Sequence, residues 1–126
     1  MDNYRPKILI VGSKQVGKSF ITKLLKLNII ENIINPDLIF VVYDITDAES
    51  FEKAKILVDH YTIFNKNPVQ VILIGNKLDL KLHRQIKISD ATDFSRSNNM
   101  YFIEISAKTG ENFSNVREII NNLNKL

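Results

Sequence analysis

Four short apolar runs recur along the chain, and their spacing constrains the fold more than any other feature. They are KILIV (7–11), LIFVVY (38–43), VQVILI (69–74) and YFIEI (101–105). The first three are almost unbroken Ile, Val and Leu, the pattern of strands covered on both faces. Each run is followed by apolar residues at helical spacing. Phe20, Leu24 and Leu27 follow the first, and Phe51, Ala54, Leu57 or Val58, and Tyr61 the second. Ala91 and Phe94 follow the third, behind Ser89 as an expected N-cap, and Phe113, Val116, Ile119 or Ile120, and Leu123 follow the fourth. Strand and helix thus alternate four times. This predicts an α/β fold, a parallel sheet with right-handed crossovers and helices on both faces. No repeat, linker or low-complexity tract divides the chain, so a single domain, 1–126, is expected.

Composition narrows the function classes. At 44% hydrophobic residues the chain can bury a real core. It contains no cysteine, which leaves no disulfide, thiolate metal site or cysteine nucleophile. A stable lipid anchor is therefore not expected. MDNYRPK lacks the apolar stretch of a signal peptide and no apolar run approaches membrane-spanning length, so a cytoplasmic protein is the expectation. Net charge is +3, with 17 basic and 14 acidic residues scattered, which gives no reason to expect a nucleic-acid partner. His60 and His83 have no metal-ligand spacing and read as helix-surface or loop residues, and Arg84 and Arg96 read as solvated.

Between the first run and its helix stands Gly12-Ser13-Lys14-Gln15-Val16-Gly17-Lys18-Ser19, which fits G-x-x-x-x-G-K-[ST] without mismatch. Gly12 permits a sharp exit from the strand, and Gly17 allows close approach of backbone to phosphate oxygens. N–H groups from Ser13 to Ser19 would converge on the anion at the positive end of the helix. Lys18 would reach the β- and γ-phosphates, and the Ser19 hydroxyl would bind Mg²⁺. Lys14 alone reads as a solvated loop lysine.

The third and fourth runs end in Gly75-Asn76-Lys77-Leu78-Asp79 and Ser106-Ala107-Lys108. Both fall at the carboxyl ends of strands, where open parallel sheets bind ligands. An ionised Asp79 only accepts hydrogen bonds. Guanine offers two adjacent donors, its N1–H and its amino group, whereas adenine offers an acceptor at N1. The wrong base would leave Asp79 unpaired, the kind of mismatch that discriminates strongly. Asn76 can tie loops together, the stems of Lys77 and Lys108 can cover the base faces, and the Ala107 N–H can donate to the guanine carbonyl. Phe20 and Leu80, beside these motifs, complete the candidate binding set.

With these motifs in place the chain resembles the Ras-superfamily small GTPases, and within them the Rab branch. GSKQVGKS, VVYDITDAESF, ILIGNKLDL and FIEISAKTGENF carry the likeness, which runs from about Lys7 to Leu126. The resemblance implies a P-loop domain that binds GDP or GTP with Mg²⁺. It also exposes a departure. The family has, between the first helix and the strand resembling LIFVVYD, a switch loop with a metal-binding threonine, two strands, and a D-x-x-G motif followed by a water-orienting glutamine. Here that space holds only FITKLLKLNIIENIINPDLIF, with no D-x-x-G. The fold expected is a reduced P-loop fold of about four parallel strands in spatial order 1-2-3-4. The edge of strand 7–11 would be covered by residues 28–36 or paired with a second copy, giving a homo-oligomer.

Phosphoryl transfer needs a positioned water, bridging metal and γ-phosphate charge stabilisation. Gln15 lies inside the phosphate loop and does not correspond to the water-orienting glutamine. Guanine-nucleotide binding with weak or no hydrolysis is the expectation. Two alternatives stand beside it: a slow GTPase with Asp44 or Asp37 taking over at the metal, or a module whose nucleotide props an interaction surface. Asp44 also precedes TDAES, where it can serve a turn or cap.

Overall fold

The computed structural model describes residues 7–25, 35–63 and 69–123. Four strands, β1 (Ile8–Gly12), β2 (Leu38–Asp44), β3 (Gln70–Asn76) and β4 (Tyr101–Glu104), form one parallel sheet in the order β1-β2-β3-β4. Four α-helices, α1 (Lys18–Leu24), α2 (Ala48–Ile63), α3 (Ile88–Ser97) and α4 (Phe113–Leu123), alternate with them. The sequence pattern does not anticipate a 3₁₀ helix over Leu78–His83, which leads out of the NKLD motif.

Alternation along the central strands divides the core into two layers. Leu38, Phe40 and Val42 of β2 and Ile72 and Ile74 of β3 pack with Ile21, Phe113 and Val116 from α1 and α4. Ile39, Val41 and Tyr43, with Val71 and Leu73, pack on the opposite side with Phe51, Ala54, Val58 and Ala91 from α2 and α3. Every residue of β2 is buried, which is why LIFVVY shows no polar alternation. The stripes expected on α2 and α3 are the ones buried, and so is that on α4 as far as its side chains are described.

Three expectations are corrected. The strands follow one another in one direction while α1 and α2 cover opposite faces, so their two crossovers have opposite hands rather than both being right-handed. On α1 the buried residue is Ile21, with Leu24 and Leu25 beside it, while Phe20 is 61% exposed. Ser89 does not cap α3; the cap position falls two residues earlier, at Lys87, so the helix begins at Ile88 and Ser89 lies in its first turn. The expectations placed on Leu27, on the Leu123 side chain and on residues 28–34 fall outside what is described, and with them the cover of the β1 edge. Among the described residues no helix is long and apolar enough to cross a membrane.

Candidate functional site

The pairing register sets Gly12 beside Val42, Asp44 beside Asn76, and Gly75 beside Glu104. The carboxyl ends of all four strands therefore open on one edge, with the three motifs arrayed along it.

The phosphate loop is held by its apolar residues. Val16 is buried beneath it and Ile21 fastens the first turns of α1 to the core. A Cβ on Gly12 would stand 2.5 Å from the Val42 carbonyl oxygen, so the strand exit admits no side chain. Gly17 has φ 101°, and a Cβ there would collide with the Asn76 amide nitrogen. The Lys18 ammonium donates to the Gly12 carbonyl at 2.6 Å, folding back over the loop. Ser13 Oγ is buried with no partner among the described residues. Lys14, Gln15, Ser19 and Phe20 are exposed around the loop. A backbone cradle with no room for a Cβ, one inward ammonium and an unsatisfied hydroxyl fit a phosphate group.

Asn76 is 2% exposed and joins the loops of three strands. Its Nδ2 donates to the Val16 carbonyl at 2.8 Å, and its Oδ1 accepts the Ala107 N–H at 2.9 Å. The Leu78 N–H donates to the Ile105 carbonyl at 3.0 Å, and Ser106 Oγ donates to Asp79 Oδ1 at 2.8 Å. Ser106 Oγ itself accepts the Thr109 N–H, so its proton is committed to Asp79. The Asp79 carboxylate is thereby oriented while the residue stays exposed, as do Leu80 and Lys108 beside it. Two of these groups have partners within the protein. The Ala107 N–H is engaged with Asn76 rather than open to a base carbonyl. Lys77, in the left-handed conformation at φ 71°, pairs its ammonium with Asp44 Oδ2 at 2.9 Å.

The two carboxylates considered as substitute metal ligands have other partners here. Asp44 Oδ1 accepts from both the N–H and the hydroxyl of Thr46, at 2.8 and 2.6 Å, while Oδ2 holds Lys77. Burial raises this carboxyl, but the hydrogen bonds from Thr46 and Lys77 outweigh it and hold the pKa below the usual value. Asp44 is a turn and pairing residue. Asp37 accepts the Lys7 N–H at 2.8 Å, at the amino ends of β1 and β2. That is the wrong end of the sheet, about 15 Å from the loop by strand rise. Among the described residues no group of three or more His, Cys, Asp or Glu could hold a metal ion. Ser19 remains as the one candidate ligand of the phosphate loop.

Sequence reasoning missed Arg84. It is not solvated: its guanidinium makes two bonds to Glu104, at 2.6 and 2.7 Å, and these raise its pKa further. A basic residue five positions past a site aspartate carries no pattern of its own, so only the fold reveals the pairing.

A phosphate-type cradle at the head of α1, with polar loops from the next strand ends locked to it, defines a P-loop α/β protein. The Ras family model matches residues 28–125, and the chain belongs to that family. The phosphate loop precedes the matched region, so its assignment stands on its own sequence and geometry. The chain is 33% identical over 107 residues to the Ras-related protein Rab-28 of Caenorhabditis elegans, covering 80% of this chain and 39% of that protein. It is 42% identical over 72 residues to the Ras-related protein Rab-2B of Dictyostelium discoideum, covering 57% of this chain and 36% of that protein. Identity to the GTP-binding protein YPT1 of Saccharomyces cerevisiae is 38% over 74 residues, 59% of this chain and 36% of that one. The chain thus spans well under half the length of these three relatives.

Proposed function

We propose that this chain is a cytoplasmic guanine-nucleotide-binding domain that retains GDP or GTP and hydrolyses GTP weakly or not at all. The observation that carries the reading is the Asn76 amide, which couples Val16 of the phosphate loop to Ala107 and so joins the diphosphate and base halves of one site. Backbone N–H groups from Ser13 to Ser19 and the Lys18 ammonium would bind the phosphates. Asp79, oriented by Ser106, would accept the two donors of guanine. The Lys108 stem would cover one face of the base, and Lys77, tethered by Asp44, would border the other. Phe20 and Leu80 would line the open sides. Ser19 would hold Mg²⁺ together with phosphate oxygens; the ion, when bound, supplies neutralisation of phosphate charge.

Weak hydrolysis follows from what the residues between Ser19 and Leu38 do not contain. No D-x-x-G and no water-orienting glutamine occur there, and Asp44 and Asp37 are engaged elsewhere. A second reading, association of two copies through β1, has the position of β1 at the end of the described sheet in its favour.

Calorimetry with GDP and ADP, each with Mg²⁺, tests the base assignment. GDP should bind at least about a hundredfold more tightly, because ADP leaves the Asp79 carboxylate without donors. Asp79→Asn turns one acceptor into a donor and should shift the preference from GDP towards xanthosine diphosphate. Equal affinity for GDP and ADP in the unaltered protein would remove the guanine reading.

A further inference from the structure

Two loops that grip one base between them must keep a fixed separation. The Ser106–Asp79 hydrogen bond sets it at the mouth of the site, where Asp79 is exposed. The Leu78 N–H to Ile105 carbonyl bond joins the same two loops through backbone, and a side-chain connection lies beneath. Arg84 Nη1 meets Glu104 Oε2 at 2.6 Å and Nη2 meets Oε1 at 2.7 Å, a two-pronged pair with side chains only 21% and 10% exposed. Arg84 ends the 3₁₀ segment that begins beside Asp79. Glu104 ends β4, directly before the Ser106–Lys108 loop.

Both partners are anchored beyond each other. Arg84 Nη1 also donates to the Ile86 carbonyl at 3.0 Å, and the Gln85 and Ile86 N–H groups donate to the Ile45 carbonyl at 2.8 and 3.3 Å. The guanidinium is therefore fixed to the end of β2. The Glu104 carbonyl accepts from Asn112 Nδ2 at 2.7 Å, which fixes it to the head of α4. None of these bonds reaches the phosphate loop.

We propose that the Arg84–Glu104 pair is a positioning pair for the guanine pocket. It sets the spacing of the Asp79 and Ser106–Lys108 loops, and thereby governs how long and how selectively a guanine nucleotide is held. This rests on the guanine reading above. A planar, two-pronged pair fixes orientation as well as distance, which an ammonium cannot reproduce. Because the pair is largely out of water, salt screens it little. Its leverage falls first on the base, since its anchors are β2, β4 and α4, and reaches the phosphate loop only indirectly, through Asn76.

The experiment uses the full chain with R84M, R84K and E104Q. Displacement of fluorescent GDP gives the affinities for GDP and for ADP, which shares the phosphate contacts but not the guanine contacts. R84M and E104Q should bind GDP about tenfold more weakly and release it correspondingly faster, with ADP affinity changed by less than about twofold. R84K should recover only part of the loss. Should R84M fail to fold, the near-isosteric E104Q carries the same comparison. Unchanged GDP affinity overturns the proposal, and so does a parallel loss of GDP and ADP, which is the mark of general loosening. Failure of the two readings is distinguishable: an unaltered protein with no preference for GDP removes the guanine assignment itself, whereas a selective protein with indifferent variants removes only the role of the pair.

Discussion

Asp44 closes a strand, satisfies a turn and holds Lys77, all through one carboxylate. Only its ionised form can do so. Its folded pKa lies below its unfolded value, so its stabilisation is complete above about pH 5 and is lost as pH falls through the folded pKa. Asp44→Asn should cost about 1–2 kcal/mol near neutrality and progressively less below about pH 4, where the native carboxyl gives up the same bonds. Urea midpoints of both proteins between pH 3 and 7 would show the two curves converging at the acid end. Convergence at the alkaline end instead would show that the carboxylate is not the stabilising form. Asn76 illustrates the opposite case. Its amide is neutral, buried and bonded at both its nitrogen and its oxygen to backbone groups from different loops, so it acts at every pH. Tyr43 stays protonated as well, because burial and then the Glu104 carboxylate both raise its hydroxyl well above the ordinary value.

At the level of elements, β2 organises everything else. It pairs with β1 on one side and β3 on the other, and its side chains feed both core layers. Phe40 is fully buried in the layer under α1 and α4. Phe40→Ala should destabilise the fold by about 3–5 kcal/mol, while Ile56→Ala, on the exposed face of α2, should lie within about 0.5 kcal/mol of the original. Denaturant titration checks both, and similar values for the two would mean that the core is elsewhere. Elements were the most legible level of the sequence, because unbroken apolar runs mark strands covered on both faces and the 3.6-residue period marks the buried face of each helix. Their limits were not. The first turn of α1 follows a loop whose geometry rotates the helix so that Ile21, not Phe20, faces the sheet. The Gln85 and Ile86 N–H groups are bonded to Ile45 and α3 begins two residues on, so the serine that looks like a cap lies inside the helix.

For the molecule as a whole, the sheet runs 1-2-3-4 with every strand parallel, and the motifs gather at one edge. On the proposed reading the motifs hold a diphosphate and a base, and the sequence has no D-x-x-G to read a third phosphate. Order–disorder elements that sense a γ-phosphate are what distinguish the two states of a nucleotide switch. Hydrogen-exchange profiles with GDP and with a non-hydrolysable GTP analogue should therefore be nearly the same along the chain. A segment strongly protected by the triphosphate alone would reveal a sensor built from other residues.

What the sequence determined by itself was the periodic and the contiguous: four strands, their helices and the eight-residue phosphate motif. Those features are written in neighbouring residues, where burial and backbone conformation impose a local pattern. What the tertiary structure decided was the pairing of distant polar groups. Asp44 goes to Lys77 rather than a metal, the Ala107 N–H to Asn76 rather than open solvent, and Arg84 to Glu104. The physical reason is that a hydrogen bond or ion pair depends on two groups meeting in space at about 3 Å. Nothing in the spacing of either residue along the chain records which partner the folded sheet will bring to it.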